Sequence, residues 1–292
     1  MKTLLALITI CALAVTSVSA QTAKTTRKMV YHGGPVLTGV QDLYVIMYGD
    51  WSAGFPGDPQ APLVITDFLS TIGNTPYMWI NLSYPDASGK PATSALVYAG
   101  SVFDRSYSHG TELTDADIQG IIADQISNSS LPQDPIGIYI VIASADISSN
   151  ATGFCIPGEP PYHARGLVAG GWTQYIFLGN PNRCPTIAGP QFFANGQRLP
   201  TPHDSYAGDT IASNLAHALN ATLTNPHGNG WFDRYGLENA DKCVDAFGQP
   251  SFGQTYLTSN GARANIHLGS AGEYLIQQNW VNDRKGRCAM SP

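Results

Sequence analysis

Two hydrophobic periods run along this chain, one matching strands and one matching helices. "LYVIMYGDW", from Leu43 to Trp51, is an apolar run stopped by Gly49 and Asp50, the pattern of a buried strand. Directly after it, "APLVITDFLSTI" sets Leu63, Ile65, Phe68, Leu69 and Ile72 at helical spacing. "YMWINLSY" and "ALVYAGSVFD" are rich in β-formers and flank a Ser/Gly/Lys/Pro turn, which predicts a hairpin. Thr114 then caps a second amphipathic helix whose buried face carries Ile118, Ile121, Ile122 and Ile126. "IGIYIVIASADI" is the strongest strand, a β-branched run of the kind buried on both faces, so it is expected mid-sheet. "LVAGGWTQYIFLG" supplies another strand or two, broken at Gly170-Gly171. "GDTIASNLAHALNATL" is a third helix, with Ile211, Leu215, Leu219 and Leu223 as its apolar stripe. Beyond it, "YLTSNGARANIHL" suggests a hairpin at Asn260-Gly261 within a short, β-rich C-terminal part that ends in a packed segment near Trp280. Helices between strands, with no internal repeat, predict one mixed α/β sheet domain with flanking helices.

The ends and the composition narrow the setting. Lys2, the apolar run Leu4 to Val15 and the small residues Val18-Ser19-Ala20 predict a secretory signal peptide over 1–20. That run is shorter than the ~20 residues that span a bilayer, so no membrane span is expected. A polar, flexible leader is expected over 21–28 and a single domain over 29–292. With a formal net charge of −6 and only 12% charged residues, no basic stripe exists to neutralise phosphates, and nucleic acid is excluded as a partner. Cys11 leaves with the signal, and Cys155, Cys184, Cys243 and Cys288 remain. Four cysteines in an oxidising compartment imply two disulfides with three possible connectivities, of which Cys155–Cys184 with Cys243–Cys288 is favoured. No CxxC pair offers a thiolate zinc site. Glycosylation sequons occur at Asn81, Asn128, Asn150 and Asn220.

The third helix raises the question of catalysis. On a helix, His217 lies about 40° from Ala221, so position i+4 shares its face. Zinc helices space two ligands this way and place the general base directly after the first ligand. In this chain those places hold Ala221 and Ala218, and a methyl group can neither ligate nor deprotonate. His217, with Glu238 and Asp241 from the following segment, could still hold zinc with water completing the shell, and His163 is a fourth candidate ligand. Ser108 beside His109 invites a nucleophile–base pair, but no G-x-S-x-G elbow accompanies them. Asp42, Asp50, Asp104 and Asp146 fall near strand ends, where paired carboxylates could cleave glycosides and where turn-capping aspartates also collect. Trp51, Trp172 and Trp231 could present a sugar-stacking face or pack in the core.

Together, "YHGGPVL", "YGDW", "YSHGTELT", "ADISSNATGFC" before His163, and "GDTIASNLAHALNATLTNP" running into "ENADKC" resemble the exordium, or phosphate-induced 1, proteins of plants. The resemblance spans nearly the whole mature chain. It implies a secreted protein of the cell wall or apoplast, tied to growth, brassinosteroid or phosphate responses and without an assigned reaction. Many members carry His-Glu-Leu-Ala-Glu where this chain has "HALNA", so Ala218 and Ala221 depart from the pattern. Members also tend to carry one further cysteine after each of those matching Cys155 and Cys184, and the loss of both here is consistent with those two pairing. The expectation is a non-catalytic extracellular protein of zincin-like layout, acting on an extracellular protein or wall polysaccharide. The competing readings are a metal-dependent hydrolase built on His217, Glu238, Asp241 and His163, and a polysaccharide binder or glycosidase.

Overall fold

In the computed structural model, residues 28–292 are described, apart from 53–57, 151 and 158. The signal peptide expected at 1–20, and the leader expected at 21–28 save Lys28, lie outside the described residues. The first apolar run forms β1 (Gln41–Tyr48), followed by α1 (Ala61–Thr71) and the edge strand β2 (Leu96–Asp104). After them come α2 (Asp115–Ser127) and β3 (Ile138–Ala143), then the hairpin β4 (Tyr162–Val168) and β5 (Gly171–Leu178), and finally α3 (Tyr206–Thr224). The sheet order is β2-β1-β3-β5-β4, parallel except for β4, so the strand with the strongest signal does lie in the middle.

The pleat sorts each strand between two cores. Leu43, Val45 and Met47 of β1, with Ile138, Ile140 and Ile142 of β3, face α1 and α3. Tyr44, Ile46 and Tyr48, with Tyr139, Val141 and Ala143, face α2. A chain buried on both sides therefore reads as an unbroken apolar run rather than an alternating one. On α2, Ile118, Ile121 and Ile122 are fully buried, each contributing roughly 1.5–3 kcal/mol relative to exposure. Its start is a capping box: Thr114 Oγ1 accepts from the Asp117 amide, and the Asp117 carboxylate accepts from the Thr114 amide. The break at Gly170 is a two-residue turn, with Ala169 at φ 47° and Gly170 at φ 81°, the conformation that matches strand twist in tight hairpins.

Two expectations need correction. "YMWINLSY" is not a strand: Met78–Ser83 forms a 3-10 helix, and β2 pairs in parallel with β1 instead of closing a hairpin. Turn chemistry upstream decides this. The Thr75 carbonyl accepts from the Trp79 amide, its hydroxyl accepts from the Met78 amide, and Tyr77, Met78, Ile80, Asn81 and Tyr84 are buried at helical rather than alternating spacing. The zincin-like layout also finds no support. Strand order β2-β1-β3-β5, with α1 and α3 on one face and α2 on the other, is a doubly wound arrangement.

The C-terminal part is a set of two- and three-residue strand pairs. One of them, Tyr256–Leu257 with Arg263–Ala264, is the hairpin expected around Asn260-Gly261. This part wraps α3, of which every residue except Asn214 is buried. The disulfides join Cys155 to Cys184 and Cys243 to Cys288, the favoured connectivity.

Candidate functional site

The four proposed metal ligands do converge, but as hydrogen-bonded pairs. His217, 2% exposed on α3, places Nε2 3.0 Å from Asp241 Oδ1 and Nδ1 3.2 Å from Gln277 Oε1. The Gln277 amide is oriented by its own Nε2, which donates to the Ala240 carbonyl at 2.8 Å. Both imidazole nitrogens thus face side-chain oxygens, Asp241 Oδ1 on one side and Gln277 Oε1 on the other. Asp241 Oδ2 accepts from the Glu238 amide at 2.9 Å. Burial alone would raise the Asp241 carboxyl, but hydrogen bonding and charge from His217, aided by that amide and the charge of His163, hold it below its usual value.

Beside it, His163 on β4 meets Glu238 Oε2 at 2.9 Å, and the other Glu238 oxygen accepts from the Asn225 amide that caps the end of α3. Burial by itself would lower the His163 imidazole, yet Glu238 and the nearby charge of Asp241 raise it above the ordinary value. A metal ligand needs a free lone pair on each donor. At His217 both nitrogens face acceptors, and at His163 Nε2 serves the ion pair with Glu238 while Nδ1 is buried without a partner. Among the described residues no group of three or more His, Cys, Asp or Glu side chains is arranged to hold a metal ion. The donor set therefore does not fit zinc. Ala218 explains itself as packing, since it belongs to the apolar core under the sheet, where a glutamate would be buried without a partner.

The other candidates disperse. His109 turns its Nε2 to Asp124 at 2.9 Å in the space left by Gly120, away from Ser108. Asp104 ends β2, Asp50 and Asp146 follow the C-terminal ends of β1 and β3, and each closes its own turn through Ser106, Ser52 or Ser144. Asp42 sits at the opposite end of β1. Trp51 is buried, and Trp231 packs between Tyr31 and Tyr84 with its indole donating to the Pro85 carbonyl. Only Trp172 of the three is exposed, beneath the Arg165 guanidinium. Two sequons are also corrected. Asn81 and Asn220 are fully buried and hydrogen-bonded to each other at 2.6 Å, which leaves no space for a glycan, whereas Asn128 and Asn150 are exposed.

A cavity of about 310 Å³ lies against His217. It occupies the carboxyl end of β5, where open α/β sheets place ligands, between α3 and the loop tied down by Cys155–Cys184. Ser213, Asn214 and Asp245 bring polar groups to it, and Phe154, Phe177 and Phe247 bring rings. Sequence reasoning passed over these residues. The available signal was Asn214, one turn before His217 on the same helix face, followed by a proline-rich loop closed by a disulfide.

The family model of the phosphate-induced protein 1 conserved region matches residues 29–291. Protein EXORDIUM-like 5 of Arabidopsis thaliana is 28% identical over 277 residues, 86% of this chain and 74% of that protein. Protein EXORDIUM of the same plant is 25% identical, covering 84% of each chain. Protein PHOSPHATE-INDUCED 1 of Nicotiana tabacum is 26% identical, over 84% of this chain and 83% of its own. No solved structure matches the chain. A match of this extent, running through the sheet, α3 and the His–carboxylate pairs alike, makes the chain a member of the exordium, or phosphate-induced protein 1, family.

Proposed function

We propose that this chain acts outside the cell, in the wall or apoplast, as a binding protein that serves growth or nutrient and hormone responses without turning over a substrate. The observation that carries this reading is the state of His217: both ring nitrogens are engaged by Asp241 and Gln277, and its neighbours on the helix are Ala218 and Ala221. A ring whose two nitrogens are both engaged has no lone pair turned toward a metal or a substrate. Family membership and the two disulfides, which suit an oxidising compartment, support the extracellular setting. The test uses mature protein purified from a secreting plant cell, assayed against peptide, ester and glycoside substrates with added zinc and with chelator. No turnover is expected under either condition. Turnover that chelation abolishes would overturn the reading in favour of a metal-dependent hydrolase.

A further inference from the structure

We propose that the cavity against α3 binds a neutral, polyhydroxylated small molecule with the size and chemistry of a mono- or disaccharide, an inference that rests on the reading of the chain as a binding protein. The first observation is unmet hydrogen-bonding capacity. Thr152, only 6% exposed and lining the cavity, has a buried hydroxyl with no partner. A hydroxyl removed from water without compensation is costly, and a ligand atom or a bound water relieves it. Ser213 Oγ accepts from the Gln277 amide, which leaves its proton to donate. Asn214, the one residue of α3 that is not buried, presents an amide to the same space.

The second observation is the balance of charge. Asp245 and Glu159 are exposed carboxyls at the rim of the cavity, and no lysine or arginine is among the described residues that line it. An anionic ligand would meet the carboxylates of Asp245 and Glu159 with no lysine or arginine to offset them. A cationic ligand would satisfy Asp245 but would leave Thr152, Ser213 and the Asn214 amide donating to nothing. Hydroxyl groups, which both donate and accept, match the mixture. Phe154 adds an apolar wall: Gly179 admits its ring, since a Cβ there would come within 2.3 Å of it. A volume of about 310 Å³ stands at the small end of ligand pockets, of order 300–1,000 Å³. The third observation is backbone strain on these walls, where Cys155 (φ 69°) and Asp245 (φ 60°) both hold the left-handed conformation, a feature that collects at ligand sites.

The test titrates the full mature chain by calorimetry with neutral pentoses, hexoses and their disaccharides, and in parallel with glucuronic acid and putrescine as charged probes. Saturable binding of a neutral sugar is expected, with neither charged probe competing. Asn214→Leu and Thr152→Val should each weaken binding at least tenfold. Thr152→Val should also raise the melting temperature of the free protein, because it removes the unmet hydroxyl. Trp172→Ala, at the far end of β5, should change nothing. The proposal is overturned if no neutral sugar saturates a cooperatively melting protein, if putrescine binds in preference, or if binding is lost in Trp172→Ala and kept in Asn214→Leu. Retention on wall material without sugar binding would overturn this assignment and leave the binding role standing. Hydrolysis of the bound sugar would do the reverse.

Discussion

Replacing His217 with leucine separates an ion-paired helix from a metal site. In the folded protein the imidazole is 2% exposed, and its partner Asp241 has a side chain only 13% exposed. The substitution leaves that carboxylate with the Glu238 amide as its remaining hydrogen-bond donor in the 238–243 turn, and strips Gln277 Oε1 of its donor. Removing one member of a buried ion pair costs about 3–5 kcal/mol, and an orphaned buried acceptor about 1–3 kcal/mol more. The slight exposure of Asp241 and the apolar burial gained by leucine offset part of this. A net loss of about 3–4 kcal/mol is expected, a large share of a total stability of roughly 5–15 kcal/mol. Denaturant unfolding with and without chelator measures it. The substitution should shift the midpoint equally in both conditions, and chelator should leave the unsubstituted chain unchanged. A cost under about 1 kcal/mol refutes the buried-pair argument. Destabilisation of the unsubstituted chain by chelator refutes it as well, since a ligand bound only to the native state stabilises by mass action.

Three further outcomes follow from the same geometry. His163 beside Glu238, and His203 with its Nδ1 2.7 Å from Asp209 Oδ1, are both raised by those carboxylates against burial, so their contribution is present below the ordinary histidine value, about 6.5, and is lost as pH rises through their folded values. Asp241 is lowered, so its contribution is lost as pH falls from the ordinary aspartate value, about 3.9. Stability should therefore peak in mildly acidic buffer, and Glu238→Gln should flatten the alkaline limb; a maximum above pH 8 contradicts this. Lys242→Met removes the cation 3.1 Å from Asp233, where both side chains are fully buried, and should cost about 3–5 kcal/mol, partly recovered by adding Asp233→Asn. A double-mutant cycle reads the coupling, and strictly additive losses would dismiss it. Glycopeptide mapping of the protein from a plant host should find sugar at Asn128 or Asn150 and none at Asn81 or Asn220; full occupancy at Asn220 would contradict its place in the core.

Local signals carried most of the sheet. The runs at β1, β3 and β5 are β-branched and bounded by glycine or aspartate, and α2 announces itself through Thr114 and its isoleucines. Met78–Ser83 was misread because its β-forming side chains are buried by tertiary packing on a 3-10 turn that Thr75 begins, and composition does not carry that turn. In the site, His217 and Asp241 could be joined from sequence because one helix and one turn separate them. Gln277 could not, since it stands 60 positions from His217, and it is Gln277 that occupies the second ring nitrogen. The tryptophans illustrate the same gap: Trp51 is packed into the core shared with α1 and α3, Trp172 at the amino end of β5 is left exposed, and one-dimensional spacing does not record what covers each.

The enclosure of α3 has a consequence for the order of events in synthesis. A helix buried along nearly its whole length cannot be finished until everything that covers it exists, and its covers include Leu275, Ile276, Gln277 and Trp280, more than fifty positions further along the chain. Its amino end is held by Asp58, which receives the Ser205 hydroxyl and the Ala207 amide from about 150 positions away. Contacts this distant in sequence close slowly, because the loop entropy is lost before they return anything. While the sheet can assemble from the first 180 residues as they emerge, α3 stays uncovered until residues 275–281 have left the ribosome, so chaperone dependence should concentrate in that interval.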